Sequence, residues 1–193
     1  IAGSDCSGGA GIQADIKTMS ALGVYAAAAI TSITVQNTKG VEAVFGVNPL
    51  IVADQIKAVM DDIKPDAVKI GMVNDGATIH AIADTLKHYP KCPIVIDPIM
   101  VSTSGFNLMK PDALELFCDS LLPMATLLTP NLPETEILSN MKINTTDDMD
   151  IAAQRVLSLN CKAILIKGGH LKGGEKVDRL YMANGGVQTF THK

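Results

Sequence analysis

Asp97, Glu134 and Lys167 each stand at or just beyond the end of a short apolar run. Asp97 follows Pro93-Ile94-Val95-Ile96 and precedes Pro98. Glu134 follows Pro130-Asn131-Leu132-Pro133, and Lys167 follows Ala163–Ile166 and precedes Gly168-Gly169-His170. Two carboxylates at strand ends can serve a hydrated Mg²⁺, which keeps several waters and needs few protein ligands. Taken singly, Asp97 could cap a turn and Glu134 could sit in a helix's first turn, where the dipole favours an acid. A lysine ending an apolar strand is costly unless it faces a polar cleft, where it is a point charge for phosphate oxygens. The glycines after it would let a phosphate approach. His170 could be a base, but a loop-positioning or ordinary polar role weighs more.

Gln36 and Asn37 end a β-branched run. A carboxamide sets a donor beside an acceptor, so it can pair bidentately with an amino-substituted heteroaromatic ring. The same amides can also satisfy turn backbone. Residues 2–17 carry Gly3, Ser4, Ser7, Gly8, Gly9 and Gly11 and turn directly into a helical pattern. Glycine lets backbone N–H groups approach a ligand, and a helix start adds unpaired donors. The segment therefore points to a small polar or anionic ligand. Gly9-Ala10-Gly11-Ile12-Gln13-Ala14 fits a dinucleotide fingerprint only weakly, because residues 28–38 hold no acid for a ribose. The Walker pattern is absent, which excludes a P-loop ATPase or GTPase.

These residues need a scaffold, and 193 residues with 47% hydrophobic and 19% charged content give a one-domain globular chain. The net charge of −4, no Lys/Arg run, 4% aromatics and no Trp disfavour nucleic acid and anionic membranes as partners. Cys6, Cys92, Cys118 and Cys161 form no Cys-x-x-Cys pair and no metal-finger spacing, so they read as reduced thiols of a cytoplasmic protein. The most apolar stretch, Val24–Val35, is broken by Thr31, Ser32 and Thr34 and is too short to span a bilayer. No signal-peptide pattern is present. The start at Ile1 reads as if a strand preceded it.

Helix-like and strand-like blocks alternate along the chain. Helices are expected at 12–22, 49–63, 77–88, 111–121, after 133, and at 147–159. On the helix at 49–63, Ile51, Val52, Ile56, Val59 and Met60 are expected to share one face. Strands are expected in the second half of 24–35 and at 67–70, 93–96, 126–128 and 163–166, with a closing hairpin at 176–183 and 187–191. Such alternation predicts an α/β fold with a mostly parallel sheet and helices on both faces. Ligands bind beyond the carboxyl ends of such strands, where Gly3-Ser4-Asp5, Gln36-Asn37, Gly71-Met72, Asp97-Pro98, Thr129-Pro130-Asn131 and Lys167-Gly168-Gly169 all fall.

The set taken together resembles the hydroxymethylpyrimidine/phosphomethylpyrimidine kinases of thiamine biosynthesis. The resemblance rests on Ala-Gly-Ser-Asp-x-Ser-Gly-Gly-Ala-Gly-Ile-Gln-Ala-Asp at 2–15, Val35-Gln36-Asn37-Thr38 with Gly40-Val41, and Lys69-Ile70-Gly71-Met72. Asp97-Pro98-Ile99-Met100-Val101 with Ser104-Gly105, Thr129-Pro130-Asn131-Leu132-Pro133-Glu134, and Lys167-Gly168-Gly169-His170 complete it. It implies a ribokinase-like fold and ATP- and Mg²⁺-dependent phosphorylation of 4-amino-5-hydroxymethyl-2-methylpyrimidine, then of its monophosphate to the diphosphate. It implies that Gly3, Asp15, Gln36, Met72 and Ile99 contact the pyrimidine. It further implies that Asp97 and Glu134 act around Mg²⁺ and the ATP phosphates, with Asn131 and Lys167 beside them and Asp97 and Lys167 catalytic. A homodimer is also implied.

Two departures from the family pattern stand out. Thr103 replaces the family's usual Lys before Ser-Gly, and no Gly-x-Gly-Cys or Gly-x-Gly-Asp occurs in 1–193. The family uses that last motif as an anion hole. The expectation is one kinase domain over 1–193, lacking its first strand and its C-terminal anion-hole segment. Two alternatives stay open: a pyridoxal or pyridoxine kinase of the same family, and a catalytically inactive pyrimidine-binding protein.

Overall fold

Asn48, Asp75, Asn131 and Thr145 each open a helix in the same way. Each has a short polar side chain that accepts a hydrogen bond from a backbone N–H of the first turn. The computed structural model describes residues 1–101, 108–110, 113–169 and 176–192. Thr103, Ser104, Gly105 and His170, named above, lie outside the described residues. The chain order is β1 (Ala2–Asp5), α1 (Gly11–Ala21), β2 (Ile30–Asn37), β3 (Gly40–Gly46), α2 (Pro49–Asp62), β4 (Val68–Ile70), α3 (Gly76–Leu86) and β5 (Ile94–Ile96). It continues with α4 (Ala113–Leu116), β6 (Leu127–Leu128), α5 (Leu132–Ser139), α6 (Thr146–Leu157), β7 (Ala163–Ile166), β8 (Lys176–Met182) and β9 (Val187–His192).

The strands run in two ladders, β1-β2-β3 and β4-β5-β6-β7-β8-β9. Ile1 joins them: its nitrogen donates to Lys69 O at 2.8 Å, and Gly71 N donates to Ile1 O at 2.9 Å. β1 and β2 are parallel, as are β4 to β7, while β3, β8 and β9 are antiparallel. This is the α/β, mostly parallel architecture that the alternation predicts. The unexpected strand is β3. Its alternation of Val41, Ala43 and Phe45 after the Asn37–Gly40 turn is a hairpin signal.

Burial follows helical and strand periodicity. α2 buries Val52, Ile56 and Met60, one residue per turn, against the sheet. Each such burial contributes about 1.5–3 kcal/mol as an upper bound. Ile51, expected on that face, is instead 51% exposed. It lies one position off the buried row, about 100° round the helix. The expected helix at 111–121 is irregular over its described residues. α4 widens into a π-turn over Phe117–Leu121 and closes as a 3-10 turn over Leu122–Met124. Pro123 lacks the N–H that would continue an α-ladder.

A cavity of about 810 Å³ opens between α1 and α2, bounded by residues 23–29 and 63–69. Among the expected site residues, only Asp15 lines it. Among the described residues, no helix is long and apolar enough to cross a membrane.

Candidate active site

Asp97 leaves the carboxyl end of β5, and Lys167 leaves that of β7, two strands away. Lys167 Nζ donates to Asp97 Oδ1 at 2.9 Å, across the end of β6. Thr129, at the end of β6, places its hydroxyl 3.3 Å from the same oxygen. The backbone fixes this arrangement. Asp97 N donates to Ile70 O at 2.8 Å, and Lys167 N to Pro130 O at 2.9 Å. The ammonium and carboxylate are part-exposed, at 41% and 22%, so the pair is open to a ligand. Asp97 Oδ2 makes no hydrogen bond among the described residues.

Beside them, Asn131 and Glu134 form a reciprocal cap on α5. Glu134 N donates to Asn131 Oδ1 at 2.9 Å, and Asn131 N donates to Glu134 Oε2 at 2.8 Å. Thr135 Oγ1 adds a 2.7 Å bond to Asn131 O. Glu134 is 5% exposed. Burial pushes its carboxyl above the ordinary glutamate range, and the Asp97 charge adds to the rise. The N–H groups of Asn131 and Met100 and the Lys167 charge pull the other way. No group of three or more His, Cys, Asp or Glu forms a metal cage among the described residues. A carboxylate pair in which one oxygen has no partner among the described residues suits Mg²⁺, which binds through one or two carboxylates, waters and substrate phosphates.

The residues expected to contact a ring lie at or near the ends of β1, β2, β4 and β5. A Cβ on Gly3 would meet Met72 Cε at 2.4 Å and Ser32 Oγ at 2.8 Å, so Gly3 and Met72 close on one another. Gln36 Oε1 lies 3.2 Å from Thr34 Oγ1, which also donates to Ser4 O at 3.0 Å. That leaves the Gln36 amide nitrogen without a partner among the described residues. Ile99 reaches within 3.9 Å of a Cβ built on Gly71. Asp15 behaves differently: its carboxylate is held by Lys69 Nζ at 2.6 Å.

Two glycine segments serve other ends than open phosphate loops. Around Gly8 and Gly9, the N–H groups of Ser7, Gly9 and Ala10 already bond to the Asp5 carboxylate. Gly168 is required by packing, since a Cβ there would lie 1.9 Å from Val177 O. Its N–H is also taken, by Asp178 Oδ1 at 2.9 Å. Around Gly169, no atom of the described residues lies within 4 Å of an added Cβ.

Sequence reasoning placed Asp5 and Thr129 at strand ends but did not foresee the carboxylate-filled loop at Asp5 or the Thr129 contact with Asp97, and it gave Ser32 no role. Ser32 is fully buried, and its hydroxyl has no partner among the described residues. The available signal was the period-2 alternation of β2, which puts Ser32, Thr34 and Gln36 on one face.

Residues 5–193 match the family model described as phosphomethylpyrimidine kinase. A hydroxymethylpyrimidine/phosphomethylpyrimidine kinase of Rhizobium meliloti is 50% identical over 183 residues, covering 94% of this chain and 68% of that protein. The thiamine biosynthesis bifunctional protein of Geobacter sulfurreducens is 46% identical over 94% of the chain, which spans 37% of its length. The phosphomethylpyrimidine kinase structure from Clostridium difficile superposes with a TM-score of 0.90 at 48% identity, covering 97% of this chain and 80% of that one. An ADP complex of Bacillus subtilis pyridoxal kinase gives a TM-score of 0.88 at 35% identity, covering 100% and 72%. The fold is therefore the one these kinases share, and the chain belongs to the phosphomethylpyrimidine kinase family.

Proposed function

We propose that the protein transfers the γ-phosphoryl group of ATP to 4-amino-5-hydroxymethyl-2-methylpyrimidine, and then to its monophosphate. The observation that carries this reading is the Asp97–Lys167 pair at the strand ends, with Gly3 and Met72 closing on one another beside Ser32 at the expected ring contacts. Phosphoryl transfer asks mainly for positioning and for charge around the phosphoryl oxygens. Lys167 supplies a movable positive charge for those oxygens. Asp97 and Glu134 would hold Mg²⁺ through its waters, and the ion would neutralise phosphate charge. Asn131 sets the position of Glu134 through the α5 cap and, with Lys167, flanks the ATP phosphates. Gln36 pairs with the amino-substituted edge of the ring, Gly3, Met72 and Ile99 bracket its faces, and Asp15 contacts it on exchange from Lys69.

A pyridoxal substrate is the second reading, favoured by the likeness to pyridoxal kinase. The Gln36 amide nitrogen, without a partner among the described residues, favours the aminopyrimidine, because pyridoxal lacks the amino group beside a ring nitrogen. Calorimetric titration of the full-length protein tests this: the aminopyrimidine should bind more tightly than pyridoxal. Tighter pyridoxal binding would overturn the substrate assignment.

The domain reading is also a proposal. Residues 1–193 would form one ribokinase-like kinase domain.

A homodimer, in a cytoplasmic setting, completes the proposal. Ile33, Val35 and Phe45 are 55%, 45% and 65% exposed on the β2–β3 hairpin, and Ile33 pairs with Phe45 across it. Clustered exposed apolar residues of this kind mark contact surfaces.

A further inference from the structure

The glycine-rich loop is wound around a carboxylate of its own. Asp5 ends β1 with its side chain turned into residues 6–10, and it is only 2% exposed. Its Oδ1 accepts from Ser7 N and Ser7 Oγ, both at 2.8 Å. Its Oδ2 accepts from Ser7 Oγ at 2.9 Å, Gly9 N at 3.0 Å and Ala10 N at 2.8 Å. Gly8, at φ +77°, lets the chain turn back so that its own N–H meets Asp5 O at 3.0 Å. Gly11, at φ +58°, brings the start of α1 against β1, where a Cβ would strike Gly3 O at 2.3 Å.

Successive N–H groups converging ahead of a helix make an anion-binding nest. Here an internal anion occupies it. Ala10, the N-cap of α1, has no capping side chain of its own, and α1 has no acid in its first turn. The Asp5 carboxylate supplies the negative charge that the helix start favours. The loop is also tied to the ring side. Gln13 accepts from Asp5 N at 2.9 Å and donates to Ser4 Oγ at 2.7 Å. Ser4 O takes the Thr34 hydroxyl that contacts Gln36, and Cys6 Sγ lies 3.1 Å from Gln36 O.

We propose that Asp5 is a positioning residue that fills the anion nest of the glycine-rich loop from within, fixing Gly3 and Gln36 for a neutral ring and excluding phosphoryl groups from this end of the cleft. The substrate then lies with its reacting hydroxymethyl or phosphate group toward Asp97 and Lys167. This rests on the ring placement in the proposed function.

Asp5→Ala empties the nest. It should raise KM for the pyrimidine about tenfold or more, the usual loss for hydrogen bonds to a charged group, and leave KM for ATP unchanged. Added formate should restore the pyrimidine KM, and inorganic phosphate should raise the variant's Tm more than the wild type's. Asp5→Asn, which keeps the shape with one acceptor oxygen, should give a smaller KM change and no formate rescue. It serves equally if Asp5→Ala fails to fold. Unchanged pyrimidine KM in either soluble variant, or anion responses equal to wild type in Asp5→Ala, would overturn the proposal. The Tm response needs no turnover. A wild type inactive on the pyrimidine would thus defeat the kinase reading, while the nest would still be judged by its anion response.

Discussion

Asp97 and Lys167, 70 residues apart in sequence, meet at 2.9 Å beyond the ends of β5 and β7. The contact spans β6 and puts both signs of charge at the mouth of the parallel ladder. Because both side chains are part-exposed, the pair is a reversible arrangement and not a buried structural bridge. An incoming phosphate can compete for the ammonium, and a cation for the carboxylate.

Lys167→Met should therefore lower kcat about 10²–10³-fold, the range seen when one preorganised phosphoryl or oxyanion contact is removed. Asp97→Asn should lower kcat and shift the Mg²⁺ concentration for half-activity upward. Steady-state rates across a Mg²⁺ titration check both. An unchanged Mg²⁺ response in Asp97→Asn would count against its metal role.

On the proposed ring placement, Gln36→Ala should weaken the pyrimidine and leave ATP unaffected, because the Gln36 amide nitrogen has no partner among the described residues and Gln36 ends β2, apart from the strand ends that carry Asp97 and Lys167. Loss of a bidentate contact of this type costs about 1–3 kcal/mol of binding. Equal losses for both substrates would contradict the assignment.

The buried Glu134 carboxyl gives a pH signature. Its value is raised in the fold, so its stabilising contribution is complete below the ordinary glutamate value of 4.5 and is lost as pH rises through the raised value. Wild-type stability relative to Glu134→Gln should fall over that rise. ATP with Mg²⁺ should diminish the fall, since a nearby cation favours the ionised carboxylate. Denaturant midpoints at a series of pH values read this directly. A pH-independent difference would argue against the burial of an ionisable group there.

Phe45→Glu places a charge in the exposed apolar patch of the β2–β3 hairpin. If the patch joins two copies, the variant should sediment as a monomer at concentrations where wild type is a dimer. Identical sedimentation would remove the patch as the dimer contact.

Most of the architecture was legible because burial leaves a periodic trace. β7 falls at Ala163–Ile166 as read, and the helices are within two residues at most ends. α4 was not, because local propensity cannot foresee the π-turn over Phe117–Leu121. At the site, strand ends located Asp97, Asn131, Glu134 and Lys167, since a polar residue that closes a buried apolar strand must reach a polar cleft or cap the next helix. Two relationships had no sequence signal. The Asp15–Lys69 pair depends on how α1 lies over β4, and the Asp5 nest depends on a backbone winding set by Gly8 and Gly11. The same glycines that looked like an open phosphate loop are needed to wrap a carboxylate.

The most direct test is an ATP-dependent phosphorylation assay on the full-length protein. It should compare 4-amino-5-hydroxymethyl-2-methylpyrimidine, its monophosphate and pyridoxal, with and without Mg²⁺. The account predicts Mg²⁺-dependent turnover of the pyrimidine and of its monophosphate, with pyridoxal the poorer substrate by kcat/KM. Turnover of pyridoxal alone, or of none of the three, would contradict it.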